Sequence, residues 1–219
     1  MTAMSDVTVL LLTFFMLTST FLQKEPVTVL TPSSVSELKV PVTNLTTVLI
    51  SPEGKVFLSI SGDADSTYSS EKVRAEVLQN AVAEYNKTHS KKIELTSAQV
   101  AKFSKINMFG YRLADLPDFL NKEQFVQDEL LSDPNNPLAG IPVDDNKDLT
   151  KPNEFQIWMR AIYNSSNPNL EAAIKKGEGI AVKADKDTPY KTVHDVLDNL
   201  QTLKMNKFSL MTALKTEND

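Results

Sequence analysis

The sequence predicts an α+β protein with a single N-terminal transmembrane helix, an extended stalk and a small sheet that carries a helical insertion. Three patterns support this prediction: an uncharged apolar run near the N-terminus, strand-like alternation in two separate places, and helical spacing between them. The expected divisions are residues 1–23 for the helix, 24–45 for the stalk, 46–69 with 177–219 for the sheet, and 70–176 for the insertion.

Composition and motifs exclude several classes of function. The net charge of −5 over 219 residues makes nucleic acid an unsuitable partner. There is no cysteine, and the two histidines, His89 and His194, stand in helical patterns without a second histidine or an acidic cluster at ligand spacing. Asp63 and Asp65 do not continue into a calcium loop. No phosphate loop or nucleophile motif is present, so we expect no cofactor, no metal and no enzymatic activity.

The uncharged run from Val7 to Leu22 is too short to cross a membrane alone. Its 16 residues rise about 24 Å as a helix, against about 30 Å of hydrocarbon. The preceding residues must help to span, which places Asp6 inside the membrane, where a carboxyl is costly and faces a protein partner or a hydrated cavity. A cleaved signal peptide is the alternative, but no basic residue precedes the run and Ser19 to Leu22 form a poor cleavage site.

One face of this helix is polar. At about 100° per residue, the side chains that fall close to one line are those of Thr2, Asp6, Thr13 and Thr20. Each threonine hydroxyl has the alternative of bonding a carbonyl one turn back in its own helix, which needs no partner. That alternative does not account for Asp6.

The charges beside the segment give only a weak indication of orientation. No Lys or Arg precedes the segment, whereas Lys24 and Lys39 follow it, so a literal positive-inside count places the C-terminal part in the cytoplasm. We expect the native protein to carry a basic cytoplasmic tail upstream of Met1, which would reverse that count.

Prolines and a turn signal define the next segments. Pro26, Pro32 and Pro41 favour extended backbone and predict the stalk. Two β-rich runs then flank the turn Pro52-Glu53-Gly54, which predicts a β-hairpin.

Helical spacing begins at residue 70. Ser69 or Ser70 is the expected N-cap, and the residues that share the apolar face are Val73, Val77, Ala81 and Tyr85. Further helices are predicted over residues 96–106 and 121–131.

A fourth helix contains the only tryptophan of the chain. Thr150 and Pro152 predict its start, and we interpret Trp158 and Tyr163 as core anchors rather than a ligand cage. Because these helices stand between the two halves of the sheet, we expect a cap that can be shortened while the sheet still folds.

The C-terminal part returns to strand-like alternation. Strands are predicted over residues 179–184 and 207–212, with a helix between them that has Thr188 as N-cap and Pro189 at its first position. The apolar face of this helix consists of Val193, Val196, Leu197 and Leu200. Such a strand, helix and strand can join the hairpin in one sheet.

The order of these segments resembles the ExbD/TolR family of biopolymer transport proteins. Residues 1–22 look like that family's "TPxxDxxxxLLxxFM" membrane segment, with Ala3 in place of its proline. Leu30 and Pro32 look like its "LP" linker. The residues similar to its "RADK…Y" strand and helix start are Lys183, Ala184, Asp185, Lys186 and Tyr190. The similarity covers about residues 1–62 and 177–216, and typical members have only a short connection where this chain has its helices.

The resemblance implies a motor subunit of the bacterial inner membrane that is driven by the proton-motive force, with a cytoplasmic N-terminus and a periplasmic C-terminal domain. Asp6 would carry the proton, supported by the threonines on its face. The implied partners are an ExbB- or TolQ-like multispan protein, a TonB- or TolA-like energy transducer and a second copy of the chain. Two alternatives stay open: a TolR-like role in envelope integrity, and a membrane-anchored periplasmic binding domain without proton coupling.

Overall fold

A computed structural model of the chain describes residues 7–14, 29, 33–34, 41–64, 67–211 and 213–214. Within them it confirms an α+β fold. The helices are α1 (residues 7–14), α2 (Ser70–Thr88), α3 (Ser97–Ser104), α4 (Leu116–Asn121), α5 (Gln124–Ser132), α6 (Glu154–Tyr163), α7 (Pro168–Lys176) and α8 (Tyr190–Thr202). The strands are β1 (Ser33–Ser34), β2 (Leu45–Ile50), β3 (Val56–Ser61), β4 (Met108–Phe109), β5 (Ile180–Ala184), β6 (Ser209–Met211) and β7 (Ala213–Leu214).

The main sheet has five strands in the order β4-β3-β2-β5-β6. Its centre is the predicted hairpin, in which β2 and β3 pair antiparallel around a turn where Gly54 has a φ of +77°. The predicted strand, helix and strand are also confirmed, because β5 and β6 both join the sheet in parallel on the β2 side. A separate parallel pair joins β1 to β7.

The two central strands are buried on both faces. Consecutive residues Val48, Leu49 and Ile50 of β2 are fully buried, as are Phe57 and Leu58 of β3. Since neighbouring side chains on a strand point to opposite faces, helices must cover both sides of the sheet. The predicted face of α2 takes part in this cover, and its buried members include Val73, Val77, Ala81 and Tyr85.

The 70–176 segment contributes a strand to the sheet and side chains to its core, which argues against a removable helical cap. Strand β4 belongs to the 70–176 segment and pairs with β3 at the edge of the sheet. Gly110 lies so close to Phe57 that an added Cβ would meet the Phe57 ring at 2.5 Å. The helices of this segment therefore share one hydrophobic core with the sheet, whereas the domain boundaries at 70 and 176 stay predictions.

Trp158 is a core anchor, as predicted. Its side chain is fully buried, and its ring lies 4.8 Å from the ring of Phe109 and 5.8 Å from that of Phe103, centroid to centroid. This aromatic cluster joins α6 to α3 and to the β4 edge. Tyr163 is only half-buried.

Two predicted N-terminal signals need correction. Helix α6 begins at Glu154, and Asn153 rather than Thr150 is its N-cap: the Asn153 side chain accepts a hydrogen bond from the Gln156 backbone N–H at 2.8 Å, and the Gln156 side chain accepts one from the Asn153 N–H at 3.1 Å. Helix α8 begins at Tyr190, after Pro189, and Thr188 does not cap it. The Thr188 hydroxyl instead lies within hydrogen-bond distance of two carbonyl oxygens at the end of β2, the nearer being that of Ser51 at 3.0 Å.

Candidate functional site

Helix α1 presents apolar side chains to its surroundings. Its large hydrophobic residues are between 56% and 63% exposed, namely Val7, Val9, Leu10, Leu11, Leu12 and Phe14. An exposed apolar surface of this kind marks a site of contact with lipid or with another protein. Of the helices in the described part of the chain, none combines the length and the apolar character that a membrane crossing requires.

Three of the four residues predicted for the proton-carrying face lie outside the described residues, namely Thr2, Asp6 and Thr20. Leu30 and Pro32 of the linker motif also lie outside them. Thr13 is described. Its hydroxyl donates to the backbone carbonyl of Leu10 at 2.9 Å, which is the intrahelical alternative left open above. A supporting role of Thr13 towards Asp6 stays a prediction.

The predicted residues from Lys183 to Tyr190 run from the end of β5, through a turn, to the first residue of α8. Asp185 is buried, and its carboxylate accepts a hydrogen bond from the Asp187 backbone N–H at 2.9 Å. Its own N–H donates to the carbonyl of Ile50 at 3.1 Å. These bonds fix the turn against the end of β2.

The other residues of this motif differ in their exposure. Ala184 is half-buried at the end of β5, Lys186 is exposed, and Tyr190 is 80% exposed at the start of α8. Next to Tyr190, the Lys191 ammonium donates a hydrogen bond of 2.7 Å to the carboxylate of Asp195, one turn further along α8. This hydrogen bond and the charge of Asp195 raise the pKa of Lys191.

Close packing also holds α8 against the tip of the hairpin. A Cβ added at Gly54 would lie 2.9 Å from the Thr192 hydroxyl, so a larger residue there would displace the Thr192 side chain. Strand β5, the turn, α8 and the hairpin therefore pack together at one corner of the molecule, on which Lys186 and Tyr190 are accessible.

A second polar cluster lies where the stalk meets the sheet. We call it the stalk clasp, and it consists of Asn44, Asp63, Asn167 and Asn169. The Asn44 side-chain amide donates to one Asp63 carboxylate oxygen at 2.5 Å, and the Asn169 amide donates to the other at 2.9 Å. The buried Asn167 amide donates to the Asn44 carbonyl oxygen at 2.9 Å.

The stalk clasp joins three elements at one point: the start of β2, the end of β3 and the start of α7. Asn44 has a φ of +54°, a left-handed conformation that asparagine tolerates better than most residues. The start of β2 is therefore bonded to the end of β3 and to the start of α7 at the same point. The sequence analysis missed this cluster, although Asn167 before Pro168 and Gly177 after Lys176 are ordinary signals for the two ends of α7.

Comparison with known proteins identifies the family. Residues 1–108 match the family model described as biopolymer transport protein ExbD/TolR. This part of the chain belongs to the ExbD/TolR family. No curated protein and no solved structure matches the chain.

The extent of the match differs from the predicted resemblance. In this ExbD/TolR protein the match includes the Asp6 segment, the stalk and the hairpin, and it continues through α2 and α3. It ends before the residues from Lys183 to Tyr190, whose likeness to the family motif stays a prediction. Two members of the stalk clasp, Asn167 and Asn169, also lie beyond the matched residues.

The stalk clasp leads to a stability prediction. Asn167→Ala removes the N-cap bonds to the backbone N–H groups of Asn169 and Leu170, at 2.9 and 3.2 Å, and leaves the Asn44 oxygen without its donor. Losing a cap costs about 1 kcal/mol, and an unsatisfied polar group costs about 1–3 kcal/mol. We expect the free energy of unfolding to fall by about 2–4 kcal/mol in urea denaturation of the full chain.

The matched control is Asn169→Ala, because Asn169 is exposed and its side chain supplies only one bond of the clasp. This variant should lower the free energy of unfolding by less than about 1 kcal/mol. Equal losses for the two variants would contradict the role assigned to the buried amide.

Proposed function

We propose that this protein is an energy-transducing subunit of the bacterial inner membrane, driven by the proton-motive force, in which Asp6 carries the proton. The observation that supports this most is the family match, because it covers the segment that contains Asp6. Members of the ExbD/TolR family are generally anchored in the inner membrane and work with ExbB- or TolQ-like and TonB- or TolA-like partners.

A reversible proton site explains a carboxyl in an apolar segment. Moving one charge through a membrane potential is worth about 2.3 kcal/mol per 100 mV, which corresponds to nearly two pKa units. A site that alternates between two exposures therefore gains and loses its proton in turn. A permanent ion pair would hold the charge in one state and could not cycle.

The described structure fits the transmission of motion from such a site. Helix α1 exposes an apolar surface suited to a multispan neighbour. The stalk leads from the membrane segment to the stalk clasp, which is bonded to the hairpin and to α7. In this proposal a periplasmic domain, paired with that of a second copy, passes the motion to an envelope-spanning transducer.

Two roles within the family would use the same mechanism. An ExbD-like subunit would drive transport at the outer membrane, and a TolR-like subunit would maintain envelope integrity. The identity of the multispan protein encoded beside this chain distinguishes them. A membrane-anchored binding domain without proton coupling is the competing function, and it would not require Asp6.

Disulfide crosslinking tests the motor against a static anchor. The chain has no cysteine of its own, so Leu12→Cys in α1 introduces a single reactive position. We expect this cysteine to crosslink to cysteines placed along the neighbouring multispan protein, in a pattern that changes when a protonophore removes the gradient. Val42→Cys, at an 88% exposed position near the C-terminal end of the stalk, is the control and should not crosslink to that neighbour. A Leu12→Cys pattern unaffected by the protonophore would contradict the motor.

A further inference from the structure

A groove lies where the C-terminal ends of α6, α7 and α8 come together. It consists of two adjoining cavities of about 420 and 290 Å3, which share Tyr163, Leu203, Lys204 and Met205 as lining residues. We call it the basic groove. All of its lining residues follow residue 108, so it belongs to the part of the chain that the family match does not reach.

The charge of the basic groove is opposite to that of the whole protein. Among the residues that the structure describes, its lining contains four cationic side chains and no acidic one, although the net charge of the chain is −5. Arg160 is paired with Glu84 at 3.0 Å and Lys175 with Glu171 at 2.5 Å. Lys204 and Lys207 are exposed and form no ion pair within the described residues.

The floor of the groove is apolar. Met205 and Ile174 are only 6% and 4% exposed, and Leu203 and Tyr163 are half-buried beside them. A ligand that fills the groove thus meets both cations and hydrocarbon. This combination suits a peptide with carboxylates next to an apolar side chain.

Lys204 occupies a position that normally favours glycine. The end of α8 is a Schellman motif, in which the Met205 N–H donates to the Leu200 carbonyl at 2.8 Å and the Lys204 N–H to the Gln201 carbonyl at 2.9 Å. In this motif the first residue after the helix cap has a left-handed backbone. That residue is Lys204, which has a φ of +62°. A lysine there adds backbone strain that glycine would avoid.

Compensation of the helix dipole does not explain Lys204. A cation in the last turn of α8 would oppose the partial negative charge of the helix end without any strained backbone. The strain is therefore unexplained by folding, and retained strain of this kind concentrates at functional positions.

The position of Lys207 is also determined by a glycine. Gly177, after the end of α7, has a φ of +97°, and a Cβ added there would lie 2.9 Å from the Lys207 Cβ. The stem of Lys207 rests in this gap. The ammonium groups of Lys204 and Lys207 are thus presented on the same groove by two separate backbone features.

We propose that the basic groove binds an acidic peptide segment of a partner protein. Its carboxylates pair with Lys204 and Lys207, and an apolar side chain of the peptide covers Met205. A concave site with a buried apolar floor fits a peptide better than a flat lipid surface, and the net charge of the chain opposes binding to extended polyanions. This proposal does not depend on proton coupling.

The test uses fluorescence anisotropy with the full chain in detergent. The probe is a fluorescein-labelled peptide, Glu-Leu-Asp-Leu-Glu, with the uncharged Gln-Leu-Asn-Leu-Gln as control. We expect the acidic peptide alone to bind, with an affinity that falls as salt rises. Lys204→Asn removes the charge but tolerates the left-handed backbone, and we expect it to weaken binding about tenfold.

Three further variants separate charge from structure. Lys204→Gly relieves the strain, and we expect it to raise the melting temperature by about 2–4 °C while it weakens binding. Lys204→Arg keeps the charge and should preserve binding. Lys122→Asn, an exposed lysine outside the groove, should leave affinity unchanged.

Equal binding of the uncharged peptide would overturn the proposal, as would unchanged affinity in Lys204→Asn. Binding of the full chain to phosphatidylglycerol vesicles that is lost in Lys204→Asn, without binding of the peptide, would assign the groove to lipid instead and would also overturn it.

Discussion

Asp6→Asn is expected to stop all proton-driven work while the protein still inserts into the membrane and assembles with its neighbours. Asparagine keeps the size and the hydrogen-bonding capacity of the side chain but has no proton to exchange near neutral pH. The measurement is energy-dependent uptake, or envelope integrity, in a strain that carries only this variant. Assembly is checked by co-purification with the multispan protein.

Two further substitutions give this result its controls. Asp6→Glu keeps the acid and moves it by one methylene, so we expect partial activity. Thr13→Val removes a hydroxyl that donates to the Leu10 carbonyl and carries no proton for transfer, so activity should fall less than in Asp6→Asn. If Asp6 merely capped the helix start, Asn would be an equally good cap, and normal activity in Asp6→Asn would contradict the motor.

The parts of the fold that the sequence predicts are those with strong local signals. The turn Pro52-Glu53-Gly54 between two β-rich runs predicts the hairpin, which β2 and β3 confirm. The apolar face of α2 follows from helical spacing alone. The parallel pairing of β5 and β6 follows from the short helix between them.

The missed or misplaced elements have competing signals or none. Thr150 and Asn153 both fit a helix start, and the reciprocal bonds with Gln156 decide for Asn153. Strand β4 has only two residues, too few for alternation to be detected. The stalk clasp depends on contact between residues more than 100 positions apart, such as Asn44 and Asn167, which no local pattern indicates.

The larger expected effect on folding comes from removal of the 70–176 segment. In a variant that joins Ser70 to Lys176 through a short linker, β3 loses its pairing with β4 and the backbone bond from the Ile141 N–H to the Val56 carbonyl at 2.8 Å. It also loses the cover of α2, which packs against β3. Exposing four buried side chains of the sheet would cost about 6–12 kcal/mol, comparable with an entire folding free energy of about 5–15 kcal/mol.

We therefore expect the shortened chain, measured in detergent by circular dichroism, to show no cooperative thermal transition. We also expect added protease to digest it rapidly. The control keeps the whole segment and carries the same linker between Ser90 and Lys91, which are both exposed after the end of α2. Because that insertion leaves the core contacts in place, the control should unfold cooperatively. A cooperative transition in the shortened chain would mean that β5, β6 and α8 complete the core without the helices, and that the buried contacts of β3 with β4 and α2 are dispensable.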